Sequence, residues 1–287
     1  MKLALGTAQF GMNYGISNKN QPIAEEEAAN ILLLCKKFSL DTIDTASSYG
    51  DSEKILGACC LKDFKVNTKL KLLPESCKNT FLWVEQEIKK SLDNLKVDAL
   101  HAVYIHHPSD LIGPDGKDLY AALSSLKKEG LFLNLGVSIY SPDELSYLLE
   151  SYNFDIIQAP FNLIDRRLLQ SGWLNKLSDM NITVHSRSAF LQGLLLTPYA
   201  ELEAKFLQWN LFAEWRDWLD DKNTNALDVA LAYPLSIKEI DRVIIGVDSL
   251  NQLKEIFNHF DTDQDISFPS IETNDVKLLH PGNWSTL

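Results

Sequence analysis

Eight short β-prone runs alternate with helical patterns along this chain, and that alternation restricts its fold more than any other feature. The runs lie near residues 3–7, 41–44, 65–69, 99–106, 133–138, 155–158, 182–187 and 242–246. Between them, apolar residues recur at helical spacing. Ile31, Leu34, Cys35 and Phe38 follow the acidic start Glu25-Glu26-Glu27, which suits the positive end of a helix dipole. Phe81, Val84, Ile88, Leu92 and Leu95 mark another helix, and Ser141-Pro142-Asp143-Glu144 opens a third, with Ser as cap, Pro in the first turn and Glu three residues after the Ser. Strands that alternate with helices pair in parallel βαβ units, and eight units in roughly 250 residues have the proportions of a (β/α)8 TIM barrel. A doubly wound open sheet would carry GxGxxG after its first strand. Here that strand leads into Gly6-Thr7-Ala8-Gln9-Phe10-Gly11, which does not match.

With 287 residues, 45% of them hydrophobic, the chain can fill one large α/β core. No internal repeat or low-complexity linker divides it, so a single domain over residues 1–287 is expected, with an extra helical segment at 199–221 after the seventh strand and a Pro-containing tail at 261–287. A net charge of −12 and a pI of about 4.9 disfavour nucleic acid or an anionic membrane as a main partner. No apolar run reaches membrane-spanning length and the N-terminus enters the first strand directly, so a cytoplasmic protein is expected. Cys35, Cys59, Cys60 and Cys77 form no CxxC pair and read as reduced thiols. His101, His106, His107 and His185 lack the compact spacing with carboxylates that a metal centre needs, and no metal is expected.

In a barrel of this kind, reactive groups gather where the strands end, because the βα loops there form the concave face. Asp44 and Tyr49 fall at the end of the second strand, Lys69 at the third and His106 at the fourth. A phenol is a poor acid near neutral pH, but an adjacent ammonium favours its anionic form. Lys69 can supply that ammonium to Tyr49, with Asp44 holding it charged. His106 can orient a carbonyl oxygen while Tyr49 donates a proton to it. Taken singly, each residue has a plainer reading: a turn cap for Asp44, turn chemistry before Gly50 for Tyr49, a solvated strand end for Lys69 and a core histidine for His106. Their order and spacing together favour a site. The aromatics Phe206, Trp209, Phe212, Trp215 and Trp218 recur every three residues and so wrap around a helix. Most are expected in packing, with one or two walling the substrate pocket.

The stretches Asp44-Thr45-Ala46-Ser47-Ser48-Tyr49-Gly50, Asn67-Thr68-Lys69, Ile105-His106-His107-Pro108 and Gly136-Val137-Ser138 resemble, in order and spacing, the aldo-keto reductase superfamily. The resemblance continues through Ile157-Gln158, through Ser188-Ala189-Phe190-Leu191-Gln192-Gly193-Leu194-Leu195, and into Val243-Ile244-Ile245-Gly246 with Gln252, so it covers nearly the whole chain. It implies a (β/α)8 barrel that reduces an aldehyde or ketone to an alcohol, with a nicotinamide cofactor extended across the barrel mouth. Tyr49 is then the general acid, supported by Lys69, Asp44 and His106. The same resemblance places Gly6 and Thr7 beside the nicotinamide and Ser138 and Gln158 on its carboxamide. It sets Ser188, Phe190, Gly193, Gly246, Ser249 and Gln252 along the rest of the cofactor.

Three positions depart from the family pattern. Ile139 stands where the family usually has Asn and offers no side-chain hydrogen bond to the carboxamide. Arg187 stands where an aromatic residue commonly stacks on the nicotinamide; a guanidinium can stack as a flat group or reach an anionic substrate group. Asp248 stands where many relatives carry Lys or Arg against the adenosine 2′-phosphate, and it disfavours that phosphate. NADPH is the family default, and NADH is the alternative that Asp248 opens. Three function classes follow. A reductase, acting on a small carbonyl substrate of sugar-derived type, suits the polar groups Arg187, His106 and His107. A Schiff-base aldolase would need Lys69 neutral, against the pull of Asp44. A catalytically weak, cofactor-sensing subunit would not need all four of Asp44, Tyr49, Lys69 and His106.

Overall fold

The computed structural model describes residues 1–15, 22–259 and 267–287. Eight parallel strands close into a barrel in chain order: β1 Leu3–Gly6, β2 Thr42–Asp44, β3 Lys65–Leu70, β4 Leu100–Ile105, β5 Phe132–Ser138, β6 Ile156–Pro160, β7 Thr183–Arg187 and β8 Arg242–Gly246. Each expected strand is present, with its ends within two residues of the expected ones. β1 pairs with both β2 and β8, and Gly6 faces Gly246 where the ring closes. Strand residues are buried on both faces, polar ones such as Asn67, Thr68, Lys69, His185 and Ser186 included, because helices cover the outer face and packed side chains fill the inner one. This architecture is a (β/α)8 TIM barrel.

The helix Glu25–Lys37 begins at its three glutamates and buries Ala28, Ile31, Leu32 and Cys35. Phe38 lies just beyond it, exposed, and stacks on Phe257 with ring centroids 4.3 Å apart. In the helix Thr80–Leu95 the buried stripe is Val84, Ile88 and Leu95, while Phe81 in the first turn stays exposed. Asn79 caps this helix by accepting the Leu82 N–H at 3.0 Å. The helix signalled by Ser141 spans Glu144–Ser151. The Glu144 carboxylate accepts the Ser141 N–H at 3.1 Å and Ser141 Oγ accepts the Asp143 N–H at 3.3 Å, which are reciprocal bonds of capping-box type.

After β7, the extra segment holds single turns at Tyr199–Glu201 and Ala204–Phe206 and the helix Leu211–Lys222, followed by the barrel helix Ala226–Ser236. Its aromatics pack against the tail and the barrel. Phe206 is fully buried and edge-on to Trp284 at 5.1 Å. The Trp215 indole donates to the Leu195 carbonyl at 3.1 Å, and the Trp209 indole to Asp275 at 2.9 Å. Within the tail, residues 261–266 lie outside the described residues, and a short helix Val276–Leu279 precedes the buried Trp284. Among the described residues no helix is long and apolar enough to cross a membrane.

Candidate active site

Asn67 on β3 pairs in register with Asp44 on β2, so Lys69, two residues further on, shares the Asn67 face at the strand's C-terminal end. The Lys69 ammonium donates to Asp44 Oδ2 and, at 3.0 Å, to the Thr45 carbonyl. The side chains of this pair are 1% and 5% exposed. Burial pulls the ammonium down, but the Asp44 carboxylate and the Tyr49 phenol outweigh it, and its pKa ends above the ordinary lysine value. Lys69 is a fixed cation. The second Asp44 oxygen accepts from the Gln158 amide at 2.7 Å, and Ser138 Oγ donates to Gln158 Oε1 at 3.4 Å. A polar chain from Ser138 through Gln158 and Asp44 to Lys69 therefore crosses the barrel beneath its mouth.

Tyr49 lies above this chain, its ring centroid 5.0 Å from Lys69 Nζ. His106, just past β4, stands edge-on to the same ring, with centroids 6.0 Å apart and planes at 80°. Ser48 Oγ is 3.3 Å from His106 Nδ1. Burial first, then the charges of Lys69, His107 and Arg187, push His106 down to about 2. A neutral imidazole can hold an oxygen through its N–H, but it carries no spare proton to give. Two glycines shape the Tyr49 turn. Gly50 adopts φ +56°, and Gly11 packs so closely that a Cβ there would stand 1.8 Å from the Tyr49 carbonyl oxygen. Ser52 locks the turn to β1 by donating to the Thr7 carbonyl at 2.8 Å.

A cleft of about 950 Å³ runs from Asp44, Tyr49 and Gln158 at the barrel centre, over the ends of β7 and β8, to Asp248, Gln252, Glu255 and His259 around the outer helix Leu250–Asn258. Its volume lies at the upper end of the range for ligand sites. Gly6 and Gly246 leave the backbone bare at its floor, where a Cβ on Gly246 would meet the Gln9 amide at 2.6 Å. Of the residues expected along a cofactor, Gly6, Thr7, Gln158, Arg187, Ser188, Phe190, Gly193, Gly246, Asp248 and Gln252 line this cleft. Ser138 and Ser249 stand back from it. Ser138 is buried behind Gln158, and Ser249 Oγ is occupied by the Gln252 N–H at 3.3 Å, capping the outer helix. Lys69 and His106 are not among the lining residues; Lys69 is buried and His106 half-buried.

Phe206, Trp209, Phe212, Trp215 and Trp218 do not line the cleft; Pro198, Glu201, Leu202 and Glu203 of the same segment do. Phe206 packs instead on Trp284 of the tail, Trp209 is held by Asp275 and Trp215 by the Leu195 carbonyl. Tyr14 is a lining residue that the sequence reading missed. Burial, then the neighbouring Tyr49, raise its pKa, while the Arg187 charge and then a hydrogen bond from Gln192 work the other way. The available signal was an aromatic residue between Gly11 and Gly15, in the loop that leaves the C-terminal end of β1. Arg187 donates to the Ile139 carbonyl at 2.9 Å, and its guanidinium lies 4.8 Å from the Tyr140 ring centroid. Among the described residues its acceptors, the Ile139 carbonyl and Ser188 Oγ, are uncharged. The Ile139 side chain itself is buried in the core. No group of three or more His, Cys, Asp or Glu among the described residues could hold a metal ion. His185 is instead bonded to the Tyr104 hydroxyl at 2.9 Å inside the barrel.

A sequence model of the Aldo/keto reductase family matches residues 2–269. The chain is 23% identical over 276 residues to the uncharacterized oxidoreductase YqkF of Bacillus subtilis (strain 168), an alignment covering 88% of this chain and 89% of that protein. It is 25% identical over 273 residues to L-galactose dehydrogenase of Arabidopsis thaliana, covering 88% and 82%. The solved structure of an aldo-keto reductase from Bacillus halodurans, in its holo form, superposes with a TM-score of 0.72 at 20% identity, over 91% of this chain and 86% of that one, which is a likeness of fold. The chain belongs to the aldo/keto reductase family, oxidoreductases of carbonyl compounds.

Proposed function

We propose that this protein reduces an aldehyde or ketone to an alcohol with a nicotinamide nucleotide, and that Tyr49 delivers the proton. The observation that carries this reading is the fixed cation Lys69, held by Asp44 beside Tyr49, at the inner end of the cleft. A reduced nicotinamide bound in the cleft supplies the hydride that the carbonyl carbon accepts. Tyr49 gives its hydroxyl proton to the carbonyl oxygen as negative charge builds there, and Lys69 stabilises the phenolate that remains. Asp44 keeps Lys69 charged and in place. His106, being neutral, holds the carbonyl oxygen by hydrogen bonding and leaves proton delivery to Tyr49. A Schiff-base role for Lys69 is disfavoured, since its amine would first have to lose a proton that Asp44 retains.

The residues present suit such a nucleotide. Gly6 and Gly246 lie in the lining of the cleft, and Thr7, Gln158, Ser188, Phe190, Gly193 and Gln252 provide polar and apolar walls. Among the described residues Asp248 Oδ1 has no partner, and a ribose hydroxyl brought against it would supply one. Arg187, with its uncharged partners, and Tyr14 favour a hydroxylated or acidic carbonyl substrate. The name of the Arabidopsis relative also points to sugars. Residues 1–287 are read as one domain, and the four free thiols fit a reducing cytoplasm. Titration of the protein's tryptophan fluorescence with NADH and NADPH tests the reading: saturable quenching at micromolar nucleotide supports it, and no response to either at millimolar concentration rejects it.

A further inference from the structure

We infer that the outer end of the cleft selects NADH over NADPH, and that Glu27 and Asp248 together set this choice by filling the seat a 2′-phosphate needs. The inference rests on the nicotinamide reading above and departs from the NADPH that family resemblance alone suggests. The two nucleotides differ only in a phosphate on the adenosine ribose. With the nicotinamide beside Tyr49, that ribose falls at the far end of the cleft, over Asp248, Gln252 and Glu255. The first turn of the helix Leu250–Asn258 lies there, and a helix N-terminus is an ordinary seat for phosphate, because its N–H groups are free and its dipole is positive.

In this chain the Leu250 and Gln252 N–H groups of that turn are taken by the protein's own groups. The Leu250 N–H donates to the Glu27 carboxylate at 2.7 Å. The Gln252 N–H donates to Ser249 Oγ at 3.3 Å, and Asp248 and Gln252 close a reciprocal pair, Asp248 N–H to Gln252 Oε1 at 2.7 Å and Gln252 Nε2 to Asp248 Oδ2 at 3.3 Å. Glu27 arrives from the first turn of its own helix, whose positive end favours a negative side chain. That helix is fixed against the outer one by the stacking of Phe38 on Phe257. Glu255 adds another carboxylate to the lining. Arg187 is the one Lys or Arg among the described lining residues, and it is bound to Ile139 at the inner end. The basic group at the outer end is His259, and its Nδ1 is engaged by Asp228 at 2.8 Å. Among the described residues a phosphate dianion would therefore meet Asp248 and Glu255, with Glu27 behind them on the Leu250 N–H, and no free cation in the lining. A plain ribose has hydroxyl donors, and among the described residues Asp248 Oδ1 is an acceptor still without one.

The test measures dissociation constants of NADH and NADPH by tryptophan quenching in the wild type, Glu27→Gln, Asp248→Asn and Asp248→Arg, each checked for folding by thermal melting. The wild type should bind NADH at least about tenfold more tightly, a difference of about 1.4 kcal/mol. Glu27→Gln should tighten NADPH several-fold with little change for NADH, Asp248→Asn should tighten NADPH while weakening NADH, whose ribose loses its charged acceptor, and Asp248→Arg should bring NADPH to parity or better. Rising salt should shrink the wild-type preference, since like-charge repulsion is screened. Equal or tighter binding of NADPH by the wild type overturns the inference and leaves the nicotinamide reading standing. An unchanged NADPH-to-NADH ratio in Glu27→Gln and Asp248→Asn overturns the role given to those residues. Failure of the wild type to bind either nucleotide rejects the nicotinamide reading itself.

Discussion

The Gln158 amide donates to Asp44 Oδ1 at 2.7 Å across the full width of the barrel, from β6 to β2. Family resemblance places Gln158 on the nicotinamide carboxamide, but its nearer partner is the carboxylate that holds Lys69. Gln158 therefore sets where Lys69, and through it Tyr49, can stand. Gln158→Leu removes the donor from a buried carboxylate oxygen, which should cost about 1–3 kcal/mol of stability in urea unfolding. A fall in kcat of about tenfold, or about 1.4 kcal/mol in barrier, should accompany it. Unchanged stability and kcat in this variant would show that Asp44 is held without Gln158.

Breaking the Lys69–Asp44 pair should be more damaging. Lys69→Met leaves a buried carboxylate without its counterion, and such losses run to about 3–5 kcal/mol. The double variant Lys69→Met with Asp44→Leu should recover part of that stability, because no buried charge is left behind. Urea midpoints of the two variants compare directly. A double variant no more stable than Lys69→Met would mean that packing, and not the stranded charge, dominates. Neither variant should retain reductase turnover.

Two imidazoles give the fold a defined acid limb. His185 is pushed down to about 3 and His106 to about 2, in both cases by burial first and then by neighbouring cations. Both therefore lie below their unfolded value of about 6.5. Between those values the unfolded chain binds protons that the folded chain refuses, so stability falls as pH drops from about 6.5 toward about 3. A fully excluded proton sets a limit of about 1.4 kcal/mol per pH unit for each histidine. Urea midpoints across this range should show the decline, and His185→Gln, which keeps a polar partner for Tyr104, should flatten it. A decline of unchanged steepness in His185→Gln would assign the effect to other groups.

The barrel was legible because eight short β-prone runs alternate with helical patterns, and because Asp44, Lys69 and His106 sit at or just past strand ends. Asp44 and Lys69 are neighbours through a register that any parallel pairing of β2 with β3 produces. Tyr14 was not legible, since it lies in an irregular loop where no periodicity marks a face. Nor was the contact of Glu27 with Leu250, which are 223 residues apart and meet only when β8 closes against β1. The aromatics at 206–218 pack, as most were expected to, but none walls the pocket. Phe206 and Trp209 precede the helix Leu211–Lys222, and Phe206 packs edge-on to Trp284 of the tail.

The central claim is that Tyr49 supplies the proton in a nicotinamide-dependent carbonyl reduction. Its most direct test follows the loss of reduced-nicotinamide absorbance for wild type and Tyr49→Phe, with a carbonyl panel rich in sugars and sugar acids. The account predicts turnover by the wild type on at least one panel member and a fall of about a thousandfold or more in kcat for Tyr49→Phe, within the range a positioned acid contributes, with cofactor affinity nearly intact. Turnover in Tyr49→Phe within about tenfold of wild type, a barrier change of no more than about 1.4 kcal/mol, would contradict it.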